Sequence, residues 1–418
     1  MKPTSTVNLE AEPPMCVGSL SPTAIATPPA PTGELAGRRI LFVMPSIPLQ
    51  GMERASIQIM WMLAQAGARV MCVTERTHGK RVRDAVEKAG CEWTDIDCDR
   101  AMRVPRSPWE LCALIFSWTR FAGSLTKIMK SFEPTHVHVA NLSFFLYALP
   151  ALWRCGRPVV FRLPNPPDHG LSGRKRVISN WIWRRCVGSV CDAVVCNSEF
   201  GLAQLRKTGV EFRGVHLIHN CLPQRATPAV SDVPELSRDR FKIVYIGRVR
   251  PDKGCDVLVD AALRMLEEGR PIELLLAGEY AWQNAFAEAL IDRVRRSGWE
   301  KHIRFLGELQ DVFGLLDACD VHVHPSQTET FSNAVLEAKS RGVPSVAFRR
   351  ASLPEQICHL EDGYLCSEVG CDALYEGLRY FMDHPDRLQA AHQAARKSLS
   401  RYSVERAAKA WVQLYQSL

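Results

Sequence analysis

Short apolar runs rich in β-branched residues alternate, from Arg39 onward, with segments whose apolar positions recur every three to four residues. Residues 39–44 (RILFVM) read as a strand, Ile57, Met60, Trp61 and Ala64 share one face of a helix that Gly67 stops, and residues 69–74 (RVMCVT) return as a second strand. This is a βαβ unit, and strands apolar on both faces predict a parallel sheet covered by helices on both sides. Further strands are predicted at residues 136–140, 158–163, 193–197 and 215–219. A second series opens with residues 241–247 (FKIVYIG) and a helix carrying Leu258, Ala261, Ala262 and Met265 on one face. Its later strands are expected at 272–277, 302–306, 320–324 and 344–348.

This punctuation divides the chain into a Pro-, Thr- and Ala-rich tail at residues 1–36, expected to be disordered, and a first Rossmann-like domain at 37–222. A linker at 223–240 contains three prolines without apolar periodicity; a second Rossmann-like domain occupies 241–400, and a closing helix at 401–418 is expected to pack back towards the first domain. The fold class is therefore α/β, with two doubly wound domains facing each other. In such sheets ligands bind outside the carboxyl ends of the strands, so two facing domains make a cleft.

A hydrophobic content of 46% with 23% charged residues describes a soluble globular protein. The net charge of +7 and pI near 8.7 suit an anionic ligand or membrane surface and are too weak to argue for nucleic acid. Apolar stretches at 111–118 and 144–153 fall short of the roughly 20 residues that span a bilayer. Fifteen cysteines without a C-x-x-C pair predict buried, reduced thiols in a cytoplasmic protein.

Chemistry is most legible at residues 329–337, ETFSNAVLE. If Ser332 caps a helix, the unpaired N–H groups after it form a site for an anion such as phosphate. Glu329 precedes the cap and Glu337 lies within the helix, so both carboxylates reach one ligand. Carboxylates repel a phosphate, which makes the hydroxyls of sugars attached to that phosphate their natural targets. Alone, the pair also fits a solvated loop residue and a helix-dipole partner. After the first strand of the second domain comes GRVRPDKG, residues 247–254, where Arg248 and Lys253 suit a diphosphate.

Together, this basic loop, the later strand ending in Pro325-Ser326, the two glutamates and GVPSVAF resemble the family-4 retaining glycosyltransferases of the GT-B fold. Gly51-Met52-Glu53-Arg54, Asn220 and Pro354-Glu355 extend the resemblance from about Arg39 to the C-terminus. It implies that Arg248 and Lys253 bind the donor diphosphate, Glu329 contacts the donor sugar and Glu337 holds the ribose. It further implies that Phe331, Ser332 and Asn333 receive phosphate and sugar, and that Gly51 and Gly247 approach the donor. The implied partners are a UDP or GDP sugar and a cell-surface polysaccharide, lipopolysaccharide or lipid-linked acceptor, without a cofactor or required metal.

The sequence departs from the family pattern where Gln50 precedes Gly51, where Pro164 stands in place of a common His, and where Ala351-Ser352 replaces a Gly pair. Arg162 and Asn165 remain as polar candidates for the acceptor side of the cleft. The competing readings are a catalytically silent GT-B nucleotide-sugar binder and a disaccharide synthase or phosphorylase.

Two basic-aromatic stretches stand apart from the donor motifs. Residues 100–130 combine six basic residues and one acid with Trp109, Phe116, Trp118 and Phe121; packing of the apolar face on the sheet accounts for them. Residues 173–185 (GRKRVISNWIWRR) place Val177, Ile178, Trp181 and Ile182 on one face and Trp183 off it among basic residues. That stretch fits either sheet packing or the anionic headgroups of a membrane, which would make the enzyme peripheral at the inner face of the cytoplasmic membrane. The alternating pairs His136/His138 and His322/His324 read as hydrogen-bonded strand-end histidines rather than metal ligands.

Overall fold

A computed structural model of the chain describes residues 33–45, 51–76, 80–97, 107–165, 173–222, 234–280, 285–309 and 311–418. The first sheet comprises β1 (Arg39–Val43), β2 (Arg69–Glu75), β3 (Glu92–Ile96), β4 (His136–Val139), β5 (Val159–Leu163), β6 (Ala193–Cys196) and β7 (Val215–Leu217). The second comprises β8 (Phe241–Ile246), β9 (Ile272–Ala277), β10 (Ile303–Gly307), β11 (Val321–His324), β12 (Ser345–Phe348) and β13 (Gly363–Cys366). Their orders are β3-β2-β1-β4-β5-β6-β7 and β10-β9-β8-β11-β12-β13.

The pairings are parallel, with Ile40 of β1 opposite Val70 and His136, and Ile243 of β8 opposite Leu274 and Val321. Strand order reverses between β1 and β4 and again between β8 and β11. Connections leave in opposite directions at such a switch point, so a crevice opens at its carboxyl end. Both faces of each sheet are covered: Ile40 and Phe42 enter one core while Leu41 and Val43 enter another. Likewise Ile243 and Tyr245 point away from Val244 and Ile246. This is the GT-B architecture of two facing Rossmann-like domains.

Two strands escape the apolar pattern. β3 reads EWTDI and is mostly half-buried at a sheet edge, while β13 is only four residues long. Most of the tail at 1–36 lies outside the described residues, as do Gln50 and residues 223–233 of the linker. The last four tail residues are ordered: Gly33–Ala36 lie in a turn, Leu35 is buried against the first domain, and its N–H donates to the Ala66 carbonyl at 2.8 Å. An apolar leucine beside the Gln65–Gly67 turn overrides the local composition.

The closing helix Val404–Ser417 places Ala407, Trp411, Val412, Leu414 and Tyr415 in the first domain's core against the helix Gly51–Gln65. Tyr415 Oη lies 2.8 Å from His138 Nδ1, and the His138 ring stacks on Phe42 at 4.1 Å between centroids. His136 Nδ1 meets Thr135 Oγ1 at 2.9 Å and His322 Nδ1 meets Ser345 Oγ at 3.0 Å, so these imidazoles serve packing. Cys72, Cys191 and Cys255 are free and buried thiols, whose burial pushes their ionisation up.

Candidate functional site

A cleft of about 490 Å³ separates the two domains, within the range of small-ligand sites. Its lining follows directly from the carboxyl ends of the strands. The first domain supplies Gly51 to Arg54 after β1, Asn141 after β4, Pro164 and Asn165 after β5, and Asn197 after β6. The second supplies Gly247 and Arg248 after β8, Gly278 and Glu279 after β9, and residues 329–334 with Glu337 after β11. Every residue singled out for the site from the sequence therefore borders one cavity.

Ser332 caps the helix Asn333–Ser340, its hydroxyl accepting from the Val335 N–H. Such a cap contributes about 1 kcal/mol and leaves other first-turn N–H groups facing the cleft. Gln356, fully buried, fixes the cap from behind: its Oε1 accepts from Ser332 N–H and its Nε2 donates to the Ser332 carbonyl, both at 2.8 Å. On the opposite side of the switch, the Tyr245 hydroxyl donates to the Arg248 carbonyl at 2.8 Å and shapes the basic loop. Gly254 closes that loop at φ 69°, where a Cβ would collide with the Pro325 carbonyl.

Lys253 Nζ and Glu329 Oε2 form an ion pair at 2.7 Å with both side chains 18% exposed, and His324 Nε2 lies 3.4 Å from the same carboxylate oxygen. Burial pushes the Glu329 carboxyl up, but contact with His324 and the Lys253 charge outweigh it and hold the group down at about 2. Glu329 therefore stands ionised, an acceptor for hydroxyls. Its carbonyl is held by the Ser352 N–H at 3.1 Å and the Ser352 hydroxyl at 2.7 Å. Ala351 beside it occupies the left-handed region at φ 50°. Glu337, farther along the capped helix, lies 4.0 Å from the Arg54 guanidinium of the other domain.

Arg162 belongs to the cleft floor. It is 2% exposed, donates to Asn220 Oδ1 at 2.8 Å and to Ser56 Oγ at 3.4 Å, and burial pulls its guanidinium down to about 10 against the charge of Glu53. Asn220 Nδ2 passes the connection to Asn333 Oδ1 at 2.9 Å, and Asn333 Nδ2 donates to the Gly51 carbonyl at 3.1 Å. Arg162 thus borders the cleft and braces Asn220, and it is the Asn220–Asn333–Gly51 chain that crosses between the domains. Asn165 is exposed at the rim, whereas Asn197 is 5% exposed and its Oδ1 has no hydrogen-bond partner among the described residues.

A second interdomain contact joins Glu355 to the helix Glu199–Lys207. Its carboxylate accepts from the Glu199 and Phe200 N–H groups at 2.8 and 2.6 Å, placing an anion on that helix's N-terminus. Beside it, Phe331, His219 and Tyr402 pack ring to ring at centroid distances of 5.5 to 5.8 Å. Asn197, Gln356 and Tyr245 carried no sequence signal, since an isolated Asn, Gln or Tyr reads as surface or core until its neighbours are known.

The residues 49–223 match the model of Glycosyltransferase Family 4 and residues 228–398 that of Glycosyl transferases group 1. The lipopolysaccharide core biosynthesis mannosyltransferase LpsB of Rhizobium meliloti is 30% identical over 176 residues, 41% of this chain and 50% of that protein. A glycogen synthase of Mycobacterium tuberculosis is 26% identical over 248 residues, 59% of this chain and 58% of that protein. The chain thus spans about half the length of the curated relatives it matches. Among solved structures, Anabaena HepE in complex with UDP and glucose superposes with a TM-score of 0.74 at 17% identity, covering 91% of this chain and 100% of that one.

Proposed function

This chain belongs to the family 4, group 1 glycosyltransferases, and on that premise we propose that it moves a sugar from a nucleotide diphosphate sugar to a glycan or glycolipid acceptor. The reading rests on one observation: Arg248, Lys253, Glu329, the Ser332-capped helix and Glu337 surround a single interdomain cleft. Each group has a task in it. Arg248, Lys253 and the helix N-terminus receive the diphosphate, Glu337 takes ribose hydroxyls, and Glu329 takes hydroxyls of the transferred sugar. UDP and GDP are the donor carriers proposed; HepE, whose fold this chain shares, was crystallised with UDP.

In transfer with retention, the bond from the anomeric carbon to the diphosphate oxygen breaks, and the departing oxygen keeps the electron pair. The acceptor oxygen bonds to the same face of that carbon, and its proton passes to the leaving phosphate. Negative charge grows on the diphosphate as this happens. Preorganised donors aimed at such charge are worth ~3 kcal/mol each, which assigns the catalytic role to Arg248, Lys253 and the helix mouth and calls for no metal cofactor. Glu329 positions the sugar and helps to orient Lys253. A cytoplasmic enzyme at the inner face of a membrane is the setting that suits a lipid-linked acceptor.

A thermal-shift series with UDP, GDP, ADP and their sugars tests the donor site, because a ligand that binds the folded state raises its apparent stability. At least one nucleotide diphosphate is expected to stabilise the chain. Glu329→Ala should lose turnover far more than nucleotide binding; equal loss of both in a folded variant would contradict its role at the sugar.

A further inference from the structure

The helix Pro108–Phe132 is divided into two halves of opposite environment. Phe121, Leu125, Met129 and Phe132 are buried on the sheet, whereas Trp109 is 84% exposed and Phe116 66%, with Ile115 and Trp118 also open to solvent. The helix Gly173–Ile182 and the turns after it repeat the division. Trp183, Val187 and Val190 are buried, Trp183 edge-on to Phe161, while Val177, Ile178 and Trp181 are exposed. Trp183, which the sequence placed off the apolar face and left open between sheet packing and a membrane, is therefore a core residue. At 3.6 residues per turn one helix cannot turn both stripes to the sheet, and the spacing of Trp183, Val187 and Val190 wins it.

Both exposed halves are the N-terminal ones. Each helix lies between two strands that run parallel in the same sheet, β3 and β4 for the first and β5 and β6 for the second, and must run back along the sheet, so its N-terminal half lies at the carboxyl edge of the strands, where the cleft opens. The two are linked through the helix Leu142–Cys155, which packs against Pro108–Phe132 and against Trp183–Val187; Trp118 Nε1 donates to its Leu146 carbonyl at 2.8 Å. Seven of the ten large exposed hydrophobics among the described residues lie on these two N-terminal halves. Single exposed apolar side chains are ordinary; a cluster at the mouth of a site marks an interaction surface. Residues 173–187 add five basic residues and no acid, with Arg176, Arg184 and Arg185 exposed.

We infer that this face docks on an anionic lipid bilayer, Trp109, Phe116 and Trp181 entering the headgroup boundary while Arg176, Arg184 and Arg185 meet lipid phosphates. The inference rests on the lipid-linked acceptor reading and supplies its geometry: the acceptor side of the cleft is held against the surface that carries the acceptor. Indole and phenyl rings beside Arg are the side chains that gain from this boundary, and the electrostatic part weakens with salt.

Sedimentation of the full chain with phosphatidylcholine vesicles, and with vesicles also containing phosphatidylglycerol, tests it without donor or acceptor. The chain is expected to pellet with the anionic vesicles and to be released by high salt. Trp181→Ser combined with Phe116→Ser should weaken that partition by about tenfold or more at unchanged melting temperature. Arg184→Glu with Arg185→Glu, which leaves the aromatic face intact, should abolish the preference for anionic vesicles. Undiminished binding of both double variants, or no pelleting of the wild type, overturns the inference. So does a wild-type dimer that the Trp181→Ser, Phe116→Ser variant converts to monomer, which would assign the face to a second copy. Since no sugar is turned over, a failure here leaves the transfer reaction untouched, and loss of transfer leaves this result standing.

Discussion

Gln356 holds Ser332 by both of its backbone polar groups, one bond in and one bond out at 2.8 Å, so that the cap of the cleft-facing helix is clamped by a side chain from the short helix Leu353–Gln356. Replacing it with Leu leaves a buried N–H and a buried carbonyl without their partner, at a cost of about 2 kcal/mol or more. Gln356→Leu should lower the urea midpoint accordingly and raise the KM for the nucleotide sugar. Gln356→Glu, which retains an acceptor for the Ser332 N–H, should fall between the variant and the wild type in both measurements.

The Lys253–Glu329 pair gives a pH signature. The folded carboxyl titrates at about 2 against an ordinary value of 4.5, so its stabilisation is fully present above about 4.5 and is lost as pH falls through 2. The stability difference between wild type and Glu329→Gln should therefore be constant from neutral pH to the upper limit and shrink below it. Urea unfolding across that range measures it; a difference independent of pH would remove the ion pair from the account.

His138 supplies an acid-sensitive element with a different window. Burial, and then the charge of Arg162, hold its imidazole well below the ordinary 6.5, so the unfolded chain takes up the proton first and stability declines as pH falls below 6.5. The slope attributable to one such group is about 1.4 kcal/mol per pH unit. Tyr415→Phe removes its hydroxyl partner and should cost about 1 kcal/mol at neutral pH, read from the melting temperature.

Ala351 sits at φ 50°, a conformation that disfavours any Cβ. Ala351→Gly should relieve this and stabilise the fold by about 0.5 kcal/mol, the strain relief being partly offset by the freer unfolded chain. Since the neighbouring Ser352 holds the Glu329 carbonyl, kcat is the second readout, and it should change little if the loop keeps its path.

The two domains were legible because their central strands are buried on both sides and must carry a continuous apolar run, as IVYI of β8 and ILFV of β1 do. β3 was hidden because an edge strand with one half-wet face has no such requirement. The convergence of these residues on one cleft could be read because a Ser cap, two flanking glutamates and a basic turn are local chemistry at fixed spacing. Arg162 was read correctly as a cleft residue, but its hydrogen bonds to Ser56 and Asn220 could not be read, because these partners are distant in sequence and nothing local announces them. The same holds for Gln356, whose function exists only once Ser332 is beside it.

The chain crosses between the domains twice, first after Asn220 and again just beyond Tyr402, because the closing helix returns to the first core. The rings of His219 and Tyr402, next to these two crossings, are 5.5 Å apart. A body tied by one tether can twist and drift, but one tied by two adjacent tethers is left with a pivot. Phe331 lies against both rings, at the fulcrum, immediately before the helix cap at Ser332. Opening the cleft should therefore leave the cap at Ser332 close to where it is, while cleft-lining groups farther from these rings travel farther.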